Sequence, residues 1–308
     1  MMETPYHKPV LLHETVEGLA IRENGVYVDV TFGGGGHSAE ILKRLGPQGR
    51  LFGFDQDEAA RANRPDDSRF ELISANFRFI RQYLKFYGIL KVDGILGDFG
   101  VSSHQFDQAD RGFSTRFDAD LDMRMNQKEA LSAKELVNTY PEARLREVFF
   151  RYGELKRAGA IARAIAAERA IKPIETTTAL NEILRPFLQR GKEHKGLAQA
   201  YQAIRIEVNQ ELTALEELLL QSVELLRVGG RLSLISYHSL EDRMVKRFIR
   251  SGNFQGVVST DFYGNPMTPF KAIGKPGTPS AEEIISNPRA RSARLRIGER
   301  VALKTKRN

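Results

Sequence analysis

Asp98, Asp55 and the run Gly33-Gly34-Gly35-Gly36 are the residues in this sequence whose types and spacing carry the clearest chemistry. The glycines follow a β-branched run, Val26 to Phe32, and precede a helical pattern from about His37 to Leu45. Such a bend lets backbone amides approach a ligand closely, and the helix end adds partial positive charge. Gly34, Gly36 and Ala39 fit a relaxed G-x-G-x-x-A nucleotide pattern, although a plain structural turn accounts for the run as well. Asp55 stands 19 residues beyond Gly36, at the tip of a second strand predicted over Arg50 to Phe54. Open α/β nucleotide sites place a carboxylate there to accept both ribose hydroxyls. Its competing role is to cap the helix that follows. Together these features point to an adenosine-containing cofactor and leave NAD and S-adenosylmethionine both open.

Asp98 ends another predicted strand, Gly94 to Gly97, and opens the segment Asp98-Phe99-Gly100-Val101-Ser102-Ser103. A carboxylate at this position suits a sulfonium, whose positive charge disappears on methyl transfer, and can also accept a hydrogen bond from an exocyclic amine. Phe77, near the end of the predicted strand Phe70 to Ser74, has either adenine stacking or core packing as its role. After the apolar run Leu232 to Ile235 comes Ser236-Tyr237-His238-Ser239-Leu240-Glu241-Asp242-Arg243, a polar stretch costly to bury without a purpose. Ser239 with Asp242 resembles a capping box in acidic form. Tyr237 and His238 are candidates for holding a base. Asp98, Tyr237 and His238 are therefore the candidate catalytic residues. His7, His13, His104 and His194 show no metal-ligand spacing, so no metal is expected.

The elements that must position these residues alternate short strands with helical stretches, the pattern of βαβ units and a parallel sheet. From about Phe106 to Ala203 no strand is evident. Ser132 with Glu135 reads as a capping box, Thr176-Thr177-Thr178 precedes another helix, and Ala158 to Ala170 is strongly helix-forming. The expected organisation is a discontinuous α/β domain, residues 1–105 and 204–308, interrupted by a helical insert over 106–203. In the second half, a leucine-rich helix is predicted over Glu211 to Arg227, stopped by Gly229-Gly230, then a strand over Arg231 to Ser236 and a helix over His238 to Ile249. Pro266, Pro269, Pro276 and Pro279 give the following stretch loop character, and a last strand falls near Ala293 to Ile297.

Composition narrows the class. The absence of cysteine excludes a disulfide framework, a thiolate zinc site and a cysteine nucleophile together. No apolar stretch is long enough to span a membrane, and the start lacks the apolar segment of a signal peptide, so a cytoplasmic protein with no membrane partner is expected. Between Asn287 and Asn308 eight Arg and Lys face one Glu, and that surplus equals the formal charge of the whole chain, +7. A solvated basic tail and a phosphate-binding edge are the two readings of it.

At these motifs the chain resembles the MraW family of bacterial ribosomal RNA methyltransferases. The likeness runs from His7-Lys8-Pro9-Val10-Leu11 through Thr31 to Ser38, Gly100 to Ser103, Leu121-Asp122-Met123-Arg124-Met125 and the serine-histidine loop to Asn287-Pro288-Arg289-Ala290-Arg291-Ser292. It implies a Rossmann-like class I S-adenosylmethionine-dependent methyltransferase fold with a helical insert that recognises RNA. It also implies methylation of the exocyclic N4 of a decoding-centre cytidine in 16S rRNA, within the small ribosomal subunit. The cofactor contacts it implies are Gly35, Gly36, His37, Asp55, Phe77, Asp98 and Gln105. Two stretches depart from the family pattern: Lys195 to Tyr201 lacks its usual Thr and Arg, and Ala119-Asp120 replaces a Gly-Pro. An NAD-dependent oxidoreductase and a non-catalytic RNA-binding protein are the alternatives from other classes. A homodimer is left open.

Overall fold

In a computed structural model, which describes residues 9–101, 106 and 109–302, the chain divides into two compact units. One comprises residues 1–100 and 213–308, the other residues 101–212. The unit boundaries thus differ from 105/106 and 203/204. The second lies later because an unbroken helix, Glu193–Asn209, carries the chain past residue 204 until Gln210 turns it with a φ of 50°.

The first unit holds β1 (Val26–Asp29), β2 (Arg50–Phe54), β3 (Phe70–Ile73), β4 (Val92–Asp98), β5 (Leu226–Ser236), β6 (Phe270–Gly277) and β7 (Arg294–Arg300). They form one sheet in the order β3-β2-β1-β4-β5-β7-β6. β1 pairs in parallel with β2 and β4, β2 with β3, and β4 with β5, while β7 runs antiparallel to both β5 and β6. Strands buried on both faces require apolar runs; Leu51, Phe52, Phe54, Ile95 and Leu96 are accordingly inaccessible to solvent. Helices α1 (Leu12–Gly18), α2 (Gly36–Arg44) and α3 (Ile80–Phe86) precede β4. The order reverses between β1 and β4, and the crevice outside the carboxyl ends of strands at such a point is where open α/β sheets bind ligands.

Three expectations are corrected in this unit. β1 stops at Asp29, three residues short of Phe32. The leucine-rich helix α9 (Glu211–Leu225) ends before Arg227, and Gly229-Gly230 lies inside β5, where the register with β4 shifts between Val92 and Gly94. The proline-rich stretch read as loop contains β6, which tolerates Pro276 because an edge strand has one side free of ladder bonds.

The second unit is helical: α4 (Ala133–Thr139), α5 (Glu142–Arg151), α6 (Ala158–Ile171), α7 (Thr177–Leu184) and α8 (Glu193–Asn209). The Ser132–Glu135 capping box forms, and Thr176 caps α7 by accepting the Ala179 N–H. Phe113, Leu121 and Met123 pack with Leu136, Phe149, Ile161, Leu180 and Ile204 in its core. Asn209 holds the Leu121–Met125 block in place: its Oδ1 accepts the Met125 N–H at 2.7 Å and its Nδ2 donates to the Met123 carbonyl at 2.8 Å. Arg205, at the end of the same helix, forms a bidentate pair with Glu211 at 2.8 and 2.9 Å. Both side chains therefore have structural partners. Among the described residues no helix is long and apolar enough to cross a membrane.

Candidate active site

The glycine turn is held from below by Asp55. Its Oδ2 accepts the Gly33 N–H at 2.8 Å and its Oδ1 accepts the Asp57 N–H at 2.8 Å. Asp57, not Asp55, caps the following turn by accepting the Ala59 N–H. Asp55 is thus bound to the loop that a nucleotide would meet, and each oxygen retains a second lone pair. Burial pushes its carboxyl up to about 6, against the two backbone bonds, which favour the ionised form. Gly35, at φ 76°, is the N-terminal cap of α2. At Gly36 an added Cβ would lie 2.1 Å from Cγ of Pro9, so the N-terminal segment passes directly over the turn. Gly36→Ala is expected to destabilise the protein by about 1–3 kcal/mol, the usual cost of forcing atoms into a filled space. Urea denaturation checks this; an unchanged midpoint would show that Pro9 yields freely.

Asp29, Asp55 and Asp98 stand at the carboxyl ends of β1, β2 and β4, three strands adjacent in the sheet. Asp98 accepts a hydrogen bond from the Tyr237 hydroxyl at 2.8 Å, and its backbone N–H donates to Thr31 Oγ1 at 2.6 Å. Its Oδ2 lies 3.8 Å from Nδ1 of His37. Burial pushes the Asp98 carboxyl up to about 7; the Tyr237 bond pulls it down and the nearby Glu241 charge adds to the rise. The Tyr237 phenol is itself pushed up, by burial first and then by the Asp98 charge, so it stays a donor.

His37 is buried, and its Nε2 is 3.1 Å from the Val10 carbonyl. A carbonyl only accepts, so Nε2 carries the proton and the Nδ1 lone pair of the neutral ring is left on the Asp98 side. Burial lowers the His37 pKa, opposed by the charge of Asp29. Asp29 is fully buried, accepts from Ser38 Oγ at 2.7 Å and from the Thr31 N–H at 3.1 Å, and burial raises its pKa. Among the described residues none of these three carboxylates pairs with a lysine or arginine.

The remaining sequence candidates are distributed unevenly. Phe77 is half-buried with its ring 5.8 Å from that of Phe99, at the end of β4, so packing and exposure to the rim coexist. Gln105 lies outside the described residues. His238, rather than Ser239, caps the helix Ser239–Ser251 (α10): its Nδ1 accepts the Glu241 N–H at 3.4 Å, and Nε2 is 3.2 Å from Glu241 Oε1. From the serine-histidine loop, Tyr237 bonds to Asp98.

Sequence reasoning passed over Asp29, Thr31 and Glu241. Asp29 carried a signal, an acid inside an apolar strand, which is rare unless the group is partnered. Glu241 is 2% exposed, and its Oε2 accepts the Tyr237 N–H at 3.0 Å. Its helical position makes it look like an ordinary first-turn acid.

A sheet in this order, with β7 its one antiparallel strand and the glycine turn following β1, defines the Rossmann-like class I methyltransferase fold, interrupted here by a helical insert. The chain belongs to the MraW methylase family, which it matches over residues 4–301. It is 60% identical to ribosomal RNA small subunit methyltransferase H of Christiangramia forsetii, over 98% of this chain and 100% of that protein. With the protein of the same name from Flavobacterium johnsoniae it shares 62% identity over 96% of this chain and 98% of the other. Among solved structures, an rRNA methylase from Streptococcus thermophilus aligns over 98% of this chain and 99% of its own, with a TM-score of 0.41 and 13% identity.

Proposed function

We propose that this methylase transfers the methyl group of S-adenosylmethionine to the exocyclic N4 of a decoding-centre cytidine in 16S rRNA. The observation that carries the reading is the uncompensated rim of Asp29, Asp55 and Asp98. Among the described residues these three carboxylates pair with no lysine or arginine, and burial raises all three, so a bound cation would offset the desolvation that disfavours their ionised forms. A sulfonium meets that need, and the pyrophosphate of NAD opposes it. The donor set therefore fits S-adenosylmethionine. Asp55 would accept its ribose hydroxyls, the turn at Gly35 and Gly36 would seat it beside His37, and Phe77 would lie against the adenine. Bound there, it supplies an electrophilic methyl carbon.

The chain's own residues then hold the amine and manage its proton. Cytosine N4 is a weak nucleophile because its lone pair is delocalised into the ring. Asp98 Oδ2, with Oδ1 engaged by Tyr237, accepts an N–H of the amine and favours a pyramidal nitrogen. Holding both reactants in line can gain about 7–11 kcal/mol over a bimolecular encounter, and this bond supplies one part of it. Asp98 would take one N–H proton from the amine, which becomes acidic as it is alkylated. A carboxyl pushed up to about 7 accepts it near neutral pH. His37 Nδ1, 3.8 Å away, is an acceptor that the protonated Asp98 faces.

The relatives' names support a small-subunit rRNA substrate, and the basic stretch beginning at Asn287 suits a polyanion. The helical unit is proposed to share in gripping the RNA. Incubating small subunits from cells lacking the protein with the pure enzyme and labelled donor should place one methyl on N4 of one 16S cytidine. Label on another atom or another RNA would overturn the assignment, and tighter binding of NAD than of S-adenosylmethionine would overturn the cofactor.

A further inference from the structure

A groove of about 570 Å³ lies at the carboxyl end of β5, walled by the first turns of α10, by Thr278 and by Arg291 to Arg294. Tyr237 lines it and also bonds to Asp98, so the groove and the candidate active site share this residue. Four cationic side chains line it from three elements. Arg243 and Lys246 lie one turn apart on α10, Arg291 lies on the short 3-10 helix Pro288–Ser292, and Arg294 opens β7.

The one acid among the lining residues is Asp242, and its carboxylate is held by Arg296 through two bonds of 2.7 and 3.0 Å. Glu241, in the same turn, is buried against the Tyr237 amide. With Asp242 already matched by Arg296, Lys246, Arg291 and Arg294 leave the groove positive, and the α10 N-terminus adds to its potential. Ser239, Thr278 and Ser292 bring hydroxyl groups to it. The four cations are exposed rather than enclosed. That favours a polyanionic strand lying along the groove over a small anion sealed in a pocket.

We infer that this groove is a phosphodiester subsite, gripping the backbone of the substrate RNA next to the nucleotide that enters the Asp98–Tyr237 site. The inference rests on the RNA reading above and adds the residues that hold the strand. The 3-10 helix and β7 fix Arg291 and Arg294 in the wall of one channel.

The test uses the full chain with Lys246→Glu and Arg291→Glu combined, compared with a charge-matched control, Lys85→Glu with Lys91→Glu. The groove variant should bind 16S rRNA about 30-fold more weakly. The slope of log affinity against log salt should fall by about two. KM for RNA should rise with kcat nearly unchanged at saturation, and affinity for S-adenosylhomocysteine should stay constant. If charge reversal disturbs folding, seen as lost S-adenosylhomocysteine binding, Lys246→Gln with Arg291→Gln should give the same pattern at smaller amplitude. An unchanged salt slope, or equal losses in the control, overturns the groove while leaving the methyltransferase reading intact. Failure of the unaltered protein to bind either 16S rRNA or the small subunit overturns both.

Discussion

Asp98→Asn is expected to lower kcat for methyl transfer by about 10²–10⁴-fold, the range lost when a positioned proton acceptor is removed. The amide keeps the size of the side chain and still accepts from the Tyr237 hydroxyl, so the loss would report acceptor strength and not collapse of the site. The unaltered enzyme should gain activity from pH 6 to 8 with a midpoint near 7, because only the ionised carboxylate accepts the proton and burial pushes it up to about 7. The variant should lack that limb.

Stability should move the other way. Folding raises this carboxyl from its ordinary value of 3.8, so the protonated form is the one the fold prefers. The stability it contributes is fully present below about pH 4 and is lost as the pH rises through 7. At pH 8 the Asn variant should be more stable by about 2–4 kcal/mol, with the gap closing below pH 4. Urea melts across pH 4–8 measure this. Retained turnover in the variant would remove Asp98 from the mechanism, and a variant less stable at pH 8 would refute the strained carboxylate.

Asp55→Ala should weaken S-adenosylmethionine binding by about 10²-fold. The substitution removes the acceptor of the Gly33 and Asp57 N–H groups, so the turn loses its anchor, and the cofactor loses the ribose acceptor proposed for it. Hydrogen bonds to a charged acceptor are worth about 1.5–3 kcal/mol each, and 1.4 kcal/mol is tenfold in affinity. Asp55→Asn, which keeps one amide-facing oxygen, should lose less. In the unaltered protein, affinity should fall as the pH drops below about 6, where this carboxyl takes up a proton and one of its acceptor positions disappears. Calorimetric titration decides the matter, and equal affinity in the Ala variant would leave Asp55 with a purely structural role.

Much of the fold could be read locally. Val26, Arg50 and Phe70 begin strands as expected, and the Ser132 capping box opens a helix. These features depend on neighbours a few residues apart, through side-chain alternation and turn chemistry. Elements whose nature depends on distant partners were misread. β6 contains Pro276 and looks like loop because its identity comes from the β7 ladder beside it. Gly229-Gly230 reads as a helix stop and sits within a strand because β4 draws the chain into pairing from Leu226 onward. Ser239 has the composition of a cap, yet His238 takes the position.

The sequence by itself determined the identity of the chemical groups and their strand-end addresses: a glycine turn after the first strand, Asp55 after the second, Asp98 at the end of the fourth. Strand ends and turns are local events, and the residues that make them are legible without knowing the rest. Only the tertiary structure decided which of these groups act together. Tyr237 is 139 positions from Asp98 and meets it because β5 lies beside β4 in the sheet. Asp29 joins the rim because β1 lies between β2 and β4. The physical reason is that charge and burial are sums over neighbours in space, and strand order sets those neighbours.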